Sequence, residues 1–302
     1  MRSPLLSRAG AVPGRAPDDG VAGHYGDPLR EQRVALADGA MVDRSHRGVI
    51  RVGGPERLTW LHSLTSQHLE RLEPGHWTEA LVLSPHGHVE HHMLVVDDGE
   101  ATWLHVEPGT APALVAYLES MRFWSAVEPE DVTSSYAVLS SVGSNDVIVP
   151  RSELAERVDA ADVPLVGHDA WEALRVEAGR PRLGFETDHR TIPHEVGWLQ
   201  SAVHLDKGCY RGQETVARVH NLGRPPRRLV RLHLDGTQEE FPAPHTPVML
   251  EEKQVGFLGT AVHHAELGPI ALAVVKRQIE DDAHLVVAGM AAAIDVEAAS
   301  AT

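Results

Sequence analysis

The stretch KGCYRGQETVARVHNLGRPPRRLVRL (residues 207–232) marks the point where the predicted secondary structure of the chain changes. Residues 214–219 have a helical pattern, and the sequence RPPRR at 224–228 cannot continue a helix because proline lacks the backbone donor. Beyond it lie short apolar runs broken by glycine and proline, at 229–234, 248–250, 255–262, 270–275, 284–288 and 292–296. Short strands at this spacing predict a small β-barrel at the carboxyl end of the chain.

The residues before this break mix strands with helices. The turn sequence SPHG at 84–87 separates two apolar runs, 80–83 and 89–96, which predicts a β-hairpin. Amphipathic spacing predicts helices after Pro55, after Thr110 and from Asp169 to Glu177. We therefore expect an α+β fold with a disordered lead at 1–20, a mixed α+β region at 21–224 and a β-barrel domain at 225–302.

Composition narrows the class of protein. The 302 residues include 27 basic and 43 acidic side chains, a formal net charge of -16, which opposes direct binding to nucleic acid or to an anionic membrane. One cysteine and 20 histidines are present. A single cysteine excludes an intrachain disulfide framework and all multi-cysteine metal sites, so a reducing, cytoplasmic location is expected. No run reaches the roughly 20 apolar residues of a membrane helix.

The single thiol, Cys209, lies between Gly208 and Gly212 and has a cation on each side, Lys207 and Arg211. Cations and a helix amino terminus lower the pKa of a thiol and make a thiolate available as nucleophile or soft metal ligand. The glycines would permit a tight backbone and the close approach of a ligand. The alternative is a buried cysteine in a turn whose charged neighbours face solvent.

Histidines are concentrated in the predicted hairpin. Strand alternation places His88, Glu90 and His92 on one face, and three such groups could bind a metal ion. The alternative, which we favour, is the polar face of a half-exposed strand. The adjacent pair His263 and His264 in the predicted barrel carries a weaker metal signal, and we predict no metal site.

Glu177 falls at the carboxyl end of a predicted helix, where the helix dipole is unfavourable to a carboxylate. A carboxylate in this position indicates that another group binds it. Its two acceptor oxygens could receive a pair of donors from an amino-pyrimidine ring, in the way that a carboxylate receives a guanidinium group. A salt bridge to Arg175 or Arg180 would satisfy the same carboxylate.

The chain contains none of the GxGxxG, Walker, HExxH or GxSxG motifs, so nucleotide-dependent and common hydrolase chemistry have no support. Instead, the octet KGCYRGQE at 207–214 resembles the signature of the YgfZ family of folate-binding proteins, relatives of the glycine-cleavage T-protein. The resemblance extends from about His24 to about Val296. It includes LHSLTSQHLERLEPG at 61–75, LRVEAGRPRLGFE at 174–186, PHEVGW at 193–198 and ELGPIALAVVKR at 266–277.

This resemblance implies a three-lobed aminomethyltransferase-like fold, with two interleaved α+β lobes and a carboxyl-terminal barrel around a hole that holds tetrahydrofolate or a derivative. Glu177 matches the glutamate that grips the pterin. Cys209 and Lys207 match the functional cysteine and its neighbouring lysine, which we predict as the catalytic pair. We also assign folate contacts to six further residues: His91, His92, Arg211, Gly212, Gln213 and Glu214.

One departure from the relatives bears on activity. T-proteins carry an aspartate in the second hairpin strand, where this chain offers Glu90, His91 and His92. Histidines titrate near neutral pH, whereas an aspartate stays ionised, so this exchange argues against glycine-cleavage activity. A shift of one residue in the alignment would make Glu90 the carboxylate.

The family is tied to the maintenance of iron-sulfur enzymes, including one that modifies tRNA. The resemblance therefore implies a folate-binding accessory protein whose partners are reduced folate and iron-sulfur client proteins, with no direct contact to nucleic acid or membrane. One alternative is a folate-dependent one-carbon transferase, either an aminomethyltransferase or a demethylase. Another is an interaction module with a vestigial folate pocket.

Overall fold

The computed structural model describes residues 1–237 and 240–296, and the chain divides into two compact units whose segments alternate along the sequence. Unit 1 comprises Met1–Val82, His91–Trp171 and Ala202–Arg211. Unit 2 comprises Leu83–Glu90, Glu172–Ser201 and the described residues from Gly212 onward. Each unit is therefore built from parts of the chain that are distant in sequence.

Unit 1 is organised around a five-stranded sheet and a four-stranded sheet. The order of the first is β5-β6-β7-β4-β8, and the order of the second is β10-β9-β3-β11, in which β11 runs parallel to β3. A further pair, β1-β2, is antiparallel. The strands are β1 Val12–Pro13, β2 Ala22–His24, β3 Met41–Asp43, β4 Gly48–Gly53, β5 Trp77–Leu83, β6 Val89–Asp97, β7 Thr102–Val106, β8 Glu128–Asp131, β9 Tyr136–Ser141, β10 Val147–Pro150 and β11 Leu165–Val166.

The helices of unit 1 cover these sheets. They are α1 Pro28–Asp38, α2 Arg57–Leu64, α3 Ala111–Ser120 and α4 Leu154–Asp159. The Asp27 carboxylate accepts hydrogen bonds from the first backbone N–H groups of α1, and Pro28 stands where a helix needs no donor. Leu61 of α2 and Leu114 of α3 are fully buried in one apolar core with Leu104 of β7. The predicted mixture of strands and helices is confirmed.

Unit 2 contains a closed barrel whose strand order, within the described residues, is β12-β15-β14-β13-β16-β17. The elements are α5 His168–Glu177, which begins in unit 1, α6 Trp198–Ser201, α7 Gln213–Leu222, β12 Arg227–Leu234, β13 Pro247–Leu250, β14 Lys253–His264, β15 Gly268–Lys276, β16 Leu285–Val287 and β17 Met290–Ile294. Helix α7 ends at Gly223 with φ of 69°, and the prolines after it separate the helix from β12. Burial alternates along β17, so one face of the strand fills the barrel interior. The predicted barrel is confirmed.

Residues 1–20 differ from the expected disordered lead. Pro4–Ser7 form a 3-10 helix capped by the Ser3 side chain, and Leu5 is buried against Leu154 and Val158. The composition of this segment, rich in glycine and proline, predicts disorder, but the buried Leu5, the ion pair of Arg8 with Asp159 and the pairing of β1 with β2 hold it on the rest of unit 1. The other domain boundaries stay a prediction.

Within the described residues, no helix combines the length and the apolar character that crossing a membrane requires.

Candidate functional site

The octet at 207–214 passes from one unit to the other between Arg211 and Gly212. Lys207, Cys209 and Arg211 belong to unit 1, together with His91 and His92. The remaining predicted site residues, Glu177, Gly212, Gln213 and Glu214, belong to unit 2.

Lys207 is buried, and its ammonium is directed at the carboxyl end of α2. Nζ donates to the carbonyl oxygens of Thr65 at 2.6 Å and Gln67 at 3.1 Å, and also to that of His62. These carbonyls belong to the negative end of a helix and the loop that follows, where a cation is favourable. Burial lowers the pKa of Lys207 to about 8. The side chain therefore fastens the 207–211 segment to α2, a role that its position beside the cysteine does not reveal.

Cys209 is exposed, which excludes the alternative of a buried cysteine in a turn. The neighbouring Gly208 is also exposed, and a Cβ built on it would meet no atom within 4 Å. Helix α7 begins at Gln213, close after the cysteine in sequence, as predicted. The thiol is accessible to an external reagent, a soft metal ion or a partner protein.

Two predicted residues of unit 1 converge on Tyr117 of α3. The guanidinium carbon of Arg211 lies 5.8 Å from the centre of the Tyr117 ring, and the His91 ring centre lies 6.3 Å from it. His92 is separate from this group: it is buried, and its Nε2 lies 3.0 Å from Glu79 Oε2 on the adjacent strand. The adjacent histidines thus have different environments, one beside an aromatic ring and one paired with a carboxylate.

Two groups of potential metal ligands converge in the described part of the chain, and neither includes a histidine of the hairpin. The candidate set of His88, Glu90 and His92 is not among the groups whose ligand atoms converge, and His92 faces Glu79. The groups that do converge are elsewhere in unit 1: Asp18, His46 and His168 form one, and His62, His68 and Glu70 form the other.

Glu177 is the last residue of α5, and its side chain is 39% exposed. Its backbone carbonyl accepts a hydrogen bond from Arg231 of β12, which places a cation at the negative end of the helix. Its Oε2 lies 3.3 Å from Nε2 of the buried His264. His264 Nδ1 accepts hydrogen bonds from the backbone N–H groups of Glu266 and Leu267, at 3.3 and 3.1 Å, so Nε2 is the ring nitrogen on the side of the carboxylate.

The predicted alternative partner, Arg175, is engaged with other carboxylates. Its Nε and Nη2 donate to the two oxygens of Glu172 at 3.0 and 2.7 Å, and its Nη1 lies 3.3 Å from Glu186. Nη2 also donates to Thr260 of β14 at 2.6 Å. Burial by itself would lower the pKa of the Arg175 guanidinium, but the two carboxylates outweigh burial and raise it. This buried network fixes the final turns of α5 and leaves Glu177 on the accessible side.

The predicted reason for glycine at 212 was the close approach of a ligand, and the structure shows close approach to the hairpin turn. Gly212 has φ of +83°, and a Cβ there would lie 2.6 Å from the Ser84 carbonyl oxygen and 2.9 Å from Gly87 Cα. Gln213 and Glu214 follow in the first turn of α7, where the exposed Glu214 carboxylate is favourable to the helix dipole. The octet is thereby packed tightly at its second glycine.

Sequence reasoning did not identify Tyr117 and His264 as neighbours of the predicted site residues. The sequence indicates His264 only as a weak metal ligand, and it gives Tyr117 no role beyond its place in the helix predicted after Thr110. Both contacts join segments that are distant in sequence, so no local pattern indicates them.

Comparisons with known proteins bear first on the fold. No protein-family model matches the chain. The crystal structure of the glycine cleavage system aminomethyltransferase T from Bartonella henselae superposes with a TM-score of 0.80, at 18% sequence identity, over 96% of this chain and 94% of that one. The chain therefore has the fold of this aminomethyltransferase, and the predicted fold class is confirmed.

Three relatives are similar in sequence. A chloroplastic protein of Arabidopsis thaliana, which carries a provisional transferase name, is 26% identical over 81% of this chain and 67% of its own length. The mitochondrial iron-sulfur cluster assembly factor IBA57 homolog of Mycosarcoma maydis is 28% identical over 64% of this chain and 57% of its own length. The aminomethyltransferase of Rippkaea orientalis is 27% identical over 82% of this chain and 81% of that protein.

Proposed function

We propose that the protein is a tetrahydrofolate-binding accessory protein of the YgfZ type, which supports the assembly or repair of iron-sulfur enzymes. The observation that carries the proposal is the aminomethyltransferase fold over 96% of the chain, combined with an exposed thiol in the octet KGCYRGQE. The similarity to a fungal protein named as an iron-sulfur cluster assembly factor supports the choice of pathway.

Glu177 is the proposed pterin ligand, and its surroundings fit an amino-pyrimidine ring. A carboxylate has about four acceptor positions, and His264 can occupy only one of them. The Arg231 contact holds the backbone of Glu177, so little ordering of the main chain at this residue is required on binding. The folate would supply a carrier for one-carbon units. Arg211, Gly212, Gln213, Glu214, His91 and His92 remain proposed folate contacts from the family resemblance.

Cys209 is the proposed functional thiol. One cysteine cannot complete the ligand set of an iron-sulfur cluster, so a cluster held by Cys209 would be shared with a client protein or a second copy. We propose Lys207 as the residue that positions this cysteine, because its ammonium ties the segment to α2. A net charge of -16 favours an effect on tRNA modification through a client enzyme rather than through bound RNA. A cytoplasmic location remains part of the proposal, on the single unpaired cysteine.

A folate-dependent one-carbon transferase is the second candidate. It is favoured by the similarity to aminomethyltransferases and by the pairing of His92 with Glu79, which gives the hairpin a group capable of moving a proton. Purified protein should then turn over methylene- or methyl-tetrahydrofolate with an amine acceptor or donor. If no such substrate is turned over, the transferase function is rejected and the accessory role is retained.

Calorimetric titration with reduced folates tests the folate site. Removing a charged acceptor of two hydrogen bonds costs about 3 kcal/mol, so Glu177→Ala should weaken binding roughly 100-fold. Glu119→Ala is the matched control, because Glu119 is a half-exposed glutamate in the last turn of α3. Equal affinity of wild type and Glu177→Ala would reject this role, and no folate affinity in the wild type would reject the folate proposal itself.

The role of the thiol is tested in cells that lack the native copy of the gene. Cys209→Ala should lower the activity of iron-sulfur enzymes, while the purified variant keeps its folate affinity. Asp206→Ala, an exposed change in the same segment, serves as the control. Full iron-sulfur enzyme activity with Cys209→Ala would contradict the proposal.

A further inference from the structure

Three side chains from separate segments meet inside unit 1. Asp18 comes from the loop between β1 and β2, His46 from the turn between β3 and β4, and His168 from the first residue of α5. Their side chains are 11%, 4% and 4% exposed. Neither the folate proposal nor the role of Cys209 uses any of them.

The Asp18 carboxylate lies between the two imidazoles. Its Oδ1 is 2.9 Å from His46 Nε2, and its Oδ2 is 3.9 Å from His168 Nδ1. The two rings meet edge to face, with centres 5.0 Å apart and planes at 86°. One ligand atom from each residue lies within 4.8 Å of the other two. Ligand atoms around a metal with bonds of about 2.1 Å are roughly 3 to 3.5 Å apart, so the most distant of these atoms would move together by about 1 Å or more on binding.

A second observation points to a ligand. His46 Nδ1 is buried and has no hydrogen-bond partner, although this ring is almost fully enclosed. A buried polar atom without a hydrogen-bond partner calls for an explanation, and a bound ion is one of the known ones.

We propose that Asp18, His46 and His168 bind one divalent transition-metal ion. Two imidazoles and one carboxylate are the ligand set that zinc, iron(II) and their neighbours accept, and three protein ligands leave at least one position for water or a small ligand. Magnesium and calcium prefer ligand sets made entirely of oxygen atoms, so the two imidazole nitrogens disfavour them. The site goes beyond the proposed function and is independent of it.

The second convergent group, His62, His68 and Glu70, is the internal competitor. It is more exposed, and the ammonium of Lys207 is bound to the His62 carbonyl. That positive charge lowers the pKa of His62, after the larger effect of burial, and it also repels a metal cation. The Asp18 group has the buried carboxylate that this second group lacks.

The test uses the whole chain, freed of metal by a chelator and titrated with zinc chloride alone. Calorimetry should give one site per chain, and Asp18→Asn and His168→Gln should each weaken that site at least 100-fold. His68→Ala should leave the zinc affinity of the Asp18 site unchanged. This variant distinguishes the Asp18 group from the His62 group and controls for zinc bound by other histidines. Binding by Asp18→Asn equal to that of the wild type, or loss of the site in His68→Ala, would overturn the proposal.

Two measurements on the wild type keep the proposal testable if the variants fail to fold. Zinc-edge absorption should show two imidazoles with oxygen ligands, and a sulfur ligand or three imidazoles would contradict it. Because Asp18 ties the amino-terminal segment to the interior of unit 1, zinc should also slow proteolytic cleavage within residues 1–20. Cleavage at the same rate with and without zinc, at saturating metal, would refute the site.

Discussion

Arg175 is the buried cation that holds the end of α5, and Arg175→Met removes its charge while keeping much of its volume. Arg175 is 7% exposed, Glu172 is 7% exposed and Glu186 is fully buried. The substitution leaves two buried carboxylates without their principal cation. We therefore expect both a loss of stability and a displaced Glu177.

The expected loss of stability depends on the contacts that the Glu172 and Glu186 carboxylates retain in the variant. Breaking a buried ion pair by removing one partner costs about 3 to 5 kcal/mol. Glu172 keeps Arg182 at 3.1 Å, and Glu186 still accepts from the backbone N–H groups of Arg182 at 2.7 Å and Thr260 at 2.6 Å. These remaining contacts place the loss at the lower end, about 3 kcal/mol, or roughly 150-fold in the folding equilibrium.

Urea denaturation followed by tryptophan fluorescence measures this loss from the shift of the midpoint at constant slope. Arg180→Met is the matched control, because Arg180 lies on the same segment with an exposed side chain. A free energy of unfolding for Arg175→Met within about 0.5 kcal/mol of the Arg180→Met value would refute the reasoning.

Three further predictions concern other parts of the chain. Gly212→Ala should lower the free energy of unfolding by about 2 kcal/mol or more, because φ of Gly212 is +83° and the new Cβ would lie 2.6 Å from a backbone oxygen. Gly208→Ala is the control, since a Cβ at Gly208 meets open space and should not change stability. Equal urea midpoints for the two variants would contradict the prediction. Burial lowers the pKa of His105 to about 4, so only the unfolded chain takes up its proton as the pH falls from about 6.5, and stability should decline from there down to about 4. His105→Gln should flatten that decline in urea melts at each pH, and a parallel decline would contradict it. The exposed Cys209 should react with one equivalent of Ellman's reagent in the native protein, whereas reaction only after denaturation would show that the thiol is enclosed.

The barrel and the hairpin could be predicted because their signals are local. Alternation along a strand and the turn sequence SPHG depend on neighbouring residues, and each predicted run overlaps one of the strands β12 to β17. The order of residues 1–20 could not be predicted, since it depends on contacts across the fold, such as those of Leu5 with Leu154 and of Asp18 with His46. Composition indicates whether a segment is ordered in isolation, whereas this segment is ordered by contacts with residues distant in sequence.

The candidate site divides in the same way. The octet, its glycines and its single thiol were visible in the sequence, as was the unfavourable position of Glu177 at a helix end. The partner of Glu177 was not, because both Arg175 and Arg180 lie at suitable spacing and His264 is 87 positions away. Arg175 is not the partner of Glu177, because the buried carboxylates of Glu172 and Glu186 bind it.

The sequence by itself determined the α+β class, the carboxyl-terminal barrel, the acidic charge and the thiol in a diagnostic octet. Only the tertiary structure decided that Lys207 binds the end of α2, that Cys209 is exposed and that Asp18 meets two histidines. The physical reason is that periodicity and residue chemistry are properties of neighbours along the chain. Which donor meets which acceptor is set instead by burial, where each polar group takes the partner that the packed chain brings within reach.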